Sequence, residues 1–229
     1  MNIAIITARG GSKRIPRKNI KDFCGKPILA YSIEAAIKSY IFDEVMVSTD
    51  DEEIAEIARH YGASVPFMRS AKTSDDYATT ADVIKEVLEN YDKQGKNYDY
   101  FCCIYPTAPF VTPDKLINAY QKLLIEQAES LMTVVEYSYP PQRSLKIENG
   151  RLMMNYPEHK RTRSQDLSPI YHDCGQFYFV KTSEFLSEGE MIGSNTIPLI
   201  VDELEVQDID TMKDWIIAEN KYKLMINKD

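Results

Sequence analysis

Short apolar runs alternate with helical patterns through the first 135 residues, and this rhythm constrains the fold more than any other feature of the chain. The predicted strands are Ile3–Ile6, Glu44–Ser48, Ser64–Phe67, Tyr100–Tyr105 and Ser130–Val135. The predicted helices are Pro27–Ser39, Glu52–Tyr61, Ala81–Tyr91 (with Thr79 or Thr80 as its cap) and Pro113–Glu126. This order predicts an α/β fold with a mostly parallel sheet and helices on both faces.

Residues 136–174 interrupt this rhythm with several prolines, several charges and little periodicity. A stretch of this length inside a compact domain is usually functional or serves as an interface arm. After it, strands over Gln176–Val180 and Thr196–Ile200 and a helix over Met212–Leu224, capped by Thr211, resume the pattern. The sequence therefore predicts one domain over residues 1–229, with residues 136–174 as an inserted arm.

The composition and the cysteine spacing argue against several classes of protein. No run approaches the roughly 20 apolar residues of a membrane helix, and the chain opens directly on a strand. We therefore expect no membrane span, no signal peptide and a cytoplasmic location. The cysteines are Cys24, Cys102, Cys103 and Cys174. They form no C-x-x-C pair, and Cys102 and Cys103 would point to opposite faces of a strand, so neither zinc nor a disulfide framework is expected.

A strongly cationic loop follows the first predicted strand. It contains Gly10 and Gly11, which can take positive φ and let backbone N–H groups approach an anion. The basic residues of the loop are Arg9, Lys13, Arg14, Arg17, Lys18 and Lys21. Because α/β folds bind phosphate at the carboxyl ends of their strands, and guanidinium and ammonium groups suit phosphate oxygens, the loop predicts a polyphosphate site.

Several other classes of protein fit the cationic loop less well. Neither G-x-x-x-x-G-K-[ST] nor a G-x-G-x-x-G after a strand occurs, which argues against a P-loop kinase and a dinucleotide dehydrogenase. A solvated basic loop and a nucleic-acid patch are the remaining alternatives. Nucleic acid fits poorly because the net charge is −8 and the basic cluster does not continue elsewhere.

A pair of aspartates near the end of the chain is the second signal. In an extended segment Asp208 and Asp210 would face the same side, and paired carboxylates suit Mg²⁺, which usually also takes waters and substrate phosphates. The alternative is that Asp210 or Thr211 simply caps the following helix. Beside a polyphosphate loop the metal interpretation is favoured, so we predict Mg²⁺ as the cofactor.

Polar residues elsewhere suit ligand recognition. Arg69 follows a predicted strand. It could contact a base or a phosphate, or it could be an ordinary surface arginine, and the sequence favours neither alternative. Arg163 could clamp a carboxylate, and Gln176 or Tyr178 could bind hydroxyl and amide groups. His172 lies beside an aspartate, but neighbours in an extended strand point apart, so no catalytic dyad is expected.

Taken together, these motifs resemble the cytidylyltransferases that activate sialic acids and related nonulosonic acids. The family signature of Ala-Arg followed by a short loop to Lys-Asn has its counterpart in residues 8–19. The Ser-Thr-Asp motif matches Ser48-Thr49-Asp50, and the Gln-Pro-Thr-Ser-Pro turn resembles residues 105–109. The metal-associated segment resembles residues 208–211. The resemblance covers almost the whole chain, with the motifs in order.

The resemblance implies a Rossmann-like nucleotide-diphospho-sugar transferase fold, with a dimerisation arm that reaches into a partner subunit of a homodimer. It implies CTP and a nonulosonic acid as substrates. The implied catalytic residues are Arg9, Lys13, Lys18, Asp208 and Asp210, the two aspartates also being metal ligands. The implied nucleotide-binding residues are Ala8, Arg9, Gly10, Gly11, Lys18, Asn19, Arg69 and Thr80. The implied sugar-binding residues are Tyr105, Arg143, Arg163, Gln176 and Tyr178.

Departures from the family pattern narrow the expected sugar. Tyr105 replaces a glutamine that contacts the sugar in the sialic acid enzymes, and residues 14–21 with residues 171–178 look more like the branch that handles pseudaminic acid. The implied reaction joins the anomeric hydroxyl of the sugar acid to the α-phosphate of CTP and releases pyrophosphate, for surface glycan or flagellin glycosylation. Sialic acid, legionaminic acid and ketodeoxyoctonate cytidylyltransferases are the alternatives, together with a catalytically idle nucleotide-binding protein on the same fold.

Overall fold

A computed structural model describes residues 1–226 of the chain. Its strands are β1 (Asn2–Thr7), β2 (Asp22–Phe23), β3 (Lys26–Pro27), β4 (Glu44–Ser48), β5 (Tyr100–Ile104), β6 (Ser130–Glu136), β7 (Leu145–Glu148), β8 (Arg151–Met154), β9 (Tyr171–Lys181) and β10 (Thr196–Ile200). Its α-helices are α1 (Ile28–Ser39), α2 (Glu52–His60), α3 (Thr80–Lys93), α4 (Pro113–Ile125), α5 (Thr182–Glu188) and α6 (Met212–Ile226).

The central sheet has the spatial order β10-β6-β9-β5-β1-β4. β1 pairs in parallel with β4 and β5, and β10 pairs in parallel with β6. Within this sheet β9 runs antiparallel to both of its neighbours, β5 and β6. The prediction of an α/β fold with a mostly parallel sheet is confirmed.

Alternate residues of each strand contact helices on opposite faces of the sheet. On one face Ala4 and Ile6 pack in a core with side chains of α1, α2 and α4. On the other face Ile3 packs with side chains of α3 and α5. Because side chains of a strand alternate, Cys102 lies in the first core and Cys103 in the second, as predicted. The sheet therefore carries helices on both faces.

A third apolar cluster fixes the two segments that the sequence singles out. The indole of Trp215 in α6 packs against Phe23, with ring centroids 5.5 Å apart, and Ile15 and Ile209 join the same cluster. Ile15 belongs to the cationic loop, and Ile209 separates the two aspartates. Burial of these two isoleucines therefore holds both segments at the same end of the molecule.

Side-chain caps begin the helices where the sequence indicates. Thr79 caps α3: its hydroxyl accepts a hydrogen bond from the backbone N–H of Asp82, whose carboxylate accepts one from the backbone of Thr79. Thr112 caps α4, and Pro113 takes the first helical position. Thr80 is therefore free of the capping role and starts α3 itself.

The predicted strand over Ser64–Phe67 is wrong. Ser64 forms an isolated bridge to Met46 beside β4, and pairing stops there. Pro66 explains the stop, because proline has no N–H to donate to a sheet ladder. The segment instead leads along the edge of the sheet, and the backbone N–H of Arg69 donates to the carbonyl of Thr49 across 2.8 Å.

The arm is more ordered than the sequence predicts. β7 and β8 form an antiparallel hairpin inside it, and β9 begins at Tyr171, so residues 171–174 belong to the main sheet. In the hairpin Ile147 pairs with Leu152, and Leu145 pairs with Met154. Because paired residues of antiparallel strands share a face, these four apolar side chains lie together on one side of the hairpin. Among residues 1–226, no helix is both long and apolar enough to cross a bilayer.

Candidate active site

The cationic loop borders a cleft of about 360 Å³ at the carboxyl ends of β1 and β5. This is the edge of an open α/β sheet at which ligands usually bind. The cleft is lined by Thr7, Arg9, Ser12, Lys13, Arg14, Ile15, Lys18, Asn19, Pro106, Thr107 and Asp210. Loop cations and one of the two aspartates therefore surround a single space.

The backbone of the cationic loop is anchored at several points. The N–H of the buried Ala8 donates to the carbonyl of Ser48 across 3.0 Å. The buried side chain of Asn19 donates from Nδ2 to the carbonyl of Arg9 across 2.9 Å. These bonds, with the buried Ile15, fix where the loop cations can reach.

Gly10 is needed for a different reason from the one predicted. Neither Gly10 nor Gly11 has positive φ. Instead, a Cβ at Gly10 would lie 2.8 Å from Oδ2 of Asp51, whereas a Cβ at Gly11 would meet nothing within 4 Å. The N–H of Gly10 donates to Oδ1 of Asp50 across 2.8 Å. Close packing of the loop against the start of α2 is what requires glycine at position 10.

Two cations of the loop are paired with the segment before α3. Arg9 donates from Nη1 to Oδ1 of Asp76 across 3.1 Å and to the carbonyl of Asp75 across 3.2 Å. Lys13 forms an ion pair with Oδ2 of Asp76. The hydrogen bond from Lys13 and the charges of Lys13 and Arg9 hold the pKa of Asp76 below its ordinary value. No sequence pattern indicates these pairings, because 67 and 63 residues separate Asp76 from Arg9 and Lys13.

Lys18 connects the cationic loop with the aspartate pair. Its Nζ donates to the carbonyl of Ile209 across 2.6 Å and lies 4.0 Å from Oδ1 of Asp210. Burial lowers the pKa of Lys18, and the charges of Asp210 and Asp208 oppose that shift. A lysine held in this way is positioned before any ligand binds.

The two aspartates lie on either side of the buried Ile209. Asp210 lines the cleft, where Arg14 donates to its Oδ1 across 2.6 Å. Asp208 is exposed and lines a neighbouring depression of about 210 Å³ that also contains His172. The cap of α6 is Thr211, whose hydroxyl accepts from the backbone N–H of Asp214 across 3.4 Å.

Asp210 lines the cleft and Asp208 lines the neighbouring depression, and both carboxylates are oxygen donors of the kind taken by a magnesium ion that also binds a substrate. Within residues 1–226 no cluster of three or more histidine, cysteine or acidic side chains could hold a metal by itself. Mg²⁺ commonly takes one or two protein carboxylates and completes its shell with waters and phosphate oxygens. The oxygen donors of this pair match that requirement.

Arg69 is buried, so the surface alternative for this arginine is wrong. Its side chain is 8% exposed, and it donates from Nε to the hydroxyl of Ser48 across 3.1 Å and from Nη2 to the carbonyl of Ser48 across 2.6 Å. The arginine therefore braces the carboxyl end of β4. Thr80, at the start of α3, has its hydroxyl beside the phenol of Tyr105.

Tyr105 and Tyr178 are brought together, with ring centroids 5.6 Å apart; neither lines the cleft, but Pro106 and Thr107, which directly follow Tyr105, do. Tyr178 is only 3% exposed, and its hydroxyl donates to Oδ2 of Asp173 across 2.5 Å. Burial, followed by this hydrogen bond, raises the pKa of Tyr178. His172 contacts the carbonyl of Asp173 rather than its carboxylate, at 2.9 Å, so the two side chains do not form a dyad.

Of the other predicted sugar-binding residues, Gln176 is next to the tyrosine pair in β9 through its backbone, but its side chain is engaged elsewhere. Gln176 is buried and donates from Nε2 to the carbonyl of Glu205 across 2.6 Å. Arg143 and Arg163 are on the arm and do not line the cleft. Arg143 donates from Nη1 to the carbonyl of Thr162 across 3.2 Å. Within a single chain, the five predicted sugar-binding residues therefore do not line one common surface.

An α/β sheet with a cation-lined cleft at the carboxyl ends of its strands is typical of nucleotide-binding proteins. Comparison with known proteins identifies which family of this class the chain belongs to. Residues 3–187 match the family model described as cytidylyltransferase. The chain belongs to the cytidylyltransferase family, whose members are nucleotidyltransferases.

Relatives and solved structures agree with this assignment. The chain is 45% identical to a pseudaminic acid cytidylyltransferase of Campylobacter jejuni subsp. jejuni serotype O:2, covering 97% of each protein. It is 31% identical to a CMP-N,N'-diacetyllegionaminic acid synthase of Legionella pneumophila, covering 97% of this chain and 96% of that protein. A CMP:2-keto-3-deoxy-manno-octonic acid synthetase solved in complex with CTP has a TM-score of 0.69 at 16% identity, covering 100% of this chain and 99% of that one. That structural likeness supports the nucleotide-diphospho-sugar transferase fold.

Proposed function

We propose that the protein transfers CMP from CTP to a nonulosonic acid, and that this acid is pseudaminic acid. The observation that carries the proposal is the position of Arg9, Lys18 and Asp210 around one cleft, in a chain 45% identical to a pseudaminic acid cytidylyltransferase. The CMP-sugar would serve surface glycan or flagellin glycosylation.

In the proposed reaction the anomeric C2 hydroxyl of the sugar acid attacks the α-phosphorus of CTP. A new P–O bond forms, the bond between the α-phosphorus and the bridging oxygen breaks, pyrophosphate leaves, and the proton of the C2 hydroxyl is released to solvent. Arg9, Lys13 and Lys18 would hold the triphosphate and balance the charge that develops on pyrophosphate. Catalysis of this kind depends on positioning and charge stabilisation more than on covalent chemistry.

We assign nucleotide binding to the residues around the cationic loop. The anchored backbone of Ala8, Gly10 and Gly11, with Asn19, would support the phosphates and ribose. Arg69 braces the carboxyl end of β4, and Thr80 starts α3 with its hydroxyl beside Tyr105, which follows β5; we assign both to the cytosine because they lie at the carboxyl ends of strands. Buried and hydrogen-bonded side chains keep such a site preorganised.

Asp208 and Asp210 would hold Mg²⁺ together with phosphate oxygens of CTP. When bound, the ion would neutralise phosphate charge and make the α-phosphorus more electrophilic. Asp208→Asn tests this role: turnover falls about a hundredfold or more, whereas CTP affinity measured by calorimetry without Mg²⁺ changes little. Asp92→Asn, at an exposed aspartate of α3, is the matched control. Unchanged turnover in Asp208→Asn removes that residue from the metal site.

Tyr105 and Tyr178 would form one wall of the sugar site, and Gln176 would support it from β9. Arg143 and Arg163 would bind the sugar of a neighbouring subunit, because both lie on the arm. CMP-N,N'-diacetyllegionaminic acid and CMP-N-acetylneuraminate synthesis are the alternatives within the same chemistry. A catalytically idle nucleotide-binding protein is the alternative from another class. It would bind CTP without depending on Asp208.

The arm would join two copies of the chain as a homodimer. Leu145, Ile147 and Leu152 on its apolar face are 55%, 75% and 68% exposed in the single chain. A two-stranded hairpin with such a face is not stable alone in water, so a covering partner is expected. Lys146 and Glu148 alternate with these apolar residues and pair with each other on the opposite face of the hairpin, so the apolar face is the one left for a partner.

Light scattering tests the dimer. The molar mass measured by light scattering is twice the chain mass of 26.3 kDa. In Ile147→Asp the measured mass falls to that of the monomer. Ile125→Asp, at an equally exposed isoleucine of α4, leaves the dimer intact. A monomeric wild-type protein contradicts this part of the proposal.

We place the reaction in the cytoplasm. The free thiols of Cys24, Cys102, Cys103 and Cys174 support a reducing compartment, where cysteines stay unpaired.

The transferase activity itself is tested by pyrophosphate release. Purified protein with CTP, Mg²⁺ and pseudaminic acid releases pyrophosphate, and omission of the sugar abolishes release. Release of pyrophosphate at the same rate without the sugar identifies a different reaction.

A further inference from the structure

Asp173 in β9 has no role in the proposed reaction, yet its carboxylate is fully engaged. Oδ1 accepts a hydrogen bond from the backbone N–H of Gly175 across 2.8 Å. Oδ2 accepts one from the phenol of Tyr178 across 2.5 Å. Asp173 itself is exposed, so packing in the core does not account for this arrangement.

Both contacts of Asp173 lead to the ring of Tyr105. Gly175 has φ of +61°, and a Cβ there would lie 3.7 Å from Cδ2 and Cε2 of Tyr105. The ring of Tyr178 lies on Tyr105 at an interplanar angle of 53°. Gly175 and Tyr178 therefore both lie against the ring, and one carboxylate fixes both of them.

The backbone of Tyr105 is fixed independently of Asp173. Its N–H donates to the carbonyl of Gln176 across 2.9 Å, and its carbonyl accepts from the hydroxyl of Ser32 across 2.8 Å. Loss of Asp173 would thus leave the chain path at Tyr105 intact and release only the ring. That ring lies between Thr80, at the start of α3, and strand β9.

We propose that Asp173 is a positioning residue for the sugar site, which sets the ring of Tyr105 through Gly175 and Tyr178. The inference rests on the proposed function, because it takes Tyr105 as the wall that contacts the sugar acid. Asp173 touches neither substrate. It determines how well the sugar fits, and CTP binding on the loop side of the cleft does not depend on it.

Asp173→Asn makes the contacts to Gly175 and Tyr178 unequal while hardly changing the volume of the side chain. A carboxylate has two acceptor oxygens, whereas an amide has one acceptor oxygen and one donor nitrogen. The asparagine oxygen can still accept from the N–H of Gly175, but the phenol of Tyr178 loses its charged acceptor and can at best accept a weaker hydrogen bond from the amide nitrogen. Tyr178→Phe removes the phenol contact alone and leaves the one to Gly175.

The kinetic test measures KM for pseudaminic acid and for CTP by pyrophosphate release. Asp173→Asn raises KM for the sugar roughly tenfold, the ratio that replacement of one charge-assisted hydrogen bond by a weaker neutral one corresponds to, and leaves KM for CTP within about twofold. In the double variant Asp173→Asn/Tyr178→Phe the increase is smaller than the product of the two single effects, because both act on one ring. Asp92→Asn behaves as the wild type. Equal changes in both KM values, or no change in either, overturn the proposal.

A crystal structure of the Asp173→Asn protein decides the proposal even if the proposed sugar chemistry is wrong. The ring of Tyr105 leaves its place beside Gly175 while the backbone bond to Gln176 is kept. A ring in its original place overturns the positioning role. Absence of pyrophosphate release by the wild-type protein with every nonulosonic acid instead overturns the proposed function.

Discussion

Arg14 donates to Oδ1 of Asp210 across 2.6 Å, although 196 residues separate the two in sequence. The arginine thereby occupies an oxygen that we assign to Mg²⁺. If Mg²⁺ binds there as we propose, the ion and the guanidinium would compete for the same acceptor. Exchange of one partner for the other would accompany binding of the metal with CTP.

Removal of Arg14 should therefore ease metal binding. In Arg14→Gln the Mg²⁺ concentration that gives half-maximal pyrophosphate release falls about threefold, as expected for loss of an exposed ion pair. Arg59→Gln, which breaks an exposed pair with Glu52 on α2, is the matched control. A higher magnesium requirement in Arg14→Gln would show that Arg14 assists the metal instead of competing with it.

If Arg9 and Lys13 bind the nucleotide as we propose, Asp76 would compete with it in the same way. It pairs with Arg9 and Lys13, so triphosphate must displace it from both cations. In Asp76→Asn we expect KM for CTP to fall about threefold, with the difference shrinking in high salt because exposed charges are screened. Asp92→Asn again serves as control. A raised KM for CTP contradicts the competition.

Gly10 and Gly11 provide a matched test of the loop packing. In Gly10→Ala the new Cβ displaces Asp51, whose Oδ1 accepts from the backbone N–H of Ile54 and caps α2. We expect a loss of about 1 kcal/mol in the free energy of unfolding, measured with urea. Gly11→Ala meets no neighbour and changes that free energy by less than about 0.5 kcal/mol. Equal effects at the two positions would contradict the steric explanation.

Glu44 gives the fold a defined pH dependence. Burial opposes its ionisation, but hydrogen bonds from Tyr91, Ser64, Tyr98 and Lys96 outweigh burial and hold its pKa below the ordinary value. A carboxyl whose pKa is lower in the folded state stabilises the fold above its unfolded pKa. That stabilisation is lost as the pH falls through the folded pKa.

Glu44→Gln should reveal this contribution. At pH 7 the variant loses about 2 kcal/mol in the free energy of unfolding, because a neutral amide replaces a charged acceptor. The difference from the wild type shrinks as the pH falls below the ordinary glutamate range. Glu52→Gln on the surface of α2 is the control. A difference that stays constant down to the acid transition would contradict the assignment.

Much of the fold could be predicted from local features of the sequence. The buried runs of β1 and β4 and the caps at Thr79 and Thr112 are visible within a few residues, because burial and capping are local. The antiparallel direction of β9 is not a local property, since it depends on how the arm returns the chain to the sheet. Pro66 is visible in the sequence and argues against the strand over residues 64–67.

The site was predictable in part. The cationic loop and the aspartate pair are local patterns, and the cluster around Trp215 brings them to the same end of the molecule. The pairings of Arg9 with Asp76 and of Arg14 with Asp210 are set by loop conformation across long sequence separations, which no periodicity records. The burial of Tyr178 and Gln176 likewise follows from β9 lying inside the sheet.

Pyrophosphate release from CTP and Mg²⁺ with a panel of sugar acids tests the central claim most directly. The panel contains pseudaminic acid, legionaminic acid, N-acetylneuraminic acid and ketodeoxyoctonate, each assayed with the wild-type protein and with Asp208→Asn. We predict that pseudaminic acid gives a kcat/KM at least about tenfold above each other sugar, a difference that one or two specific contacts can supply. A higher kcat/KM for any other sugar, or turnover in Asp208→Asn equal to that of the wild type, would contradict the account.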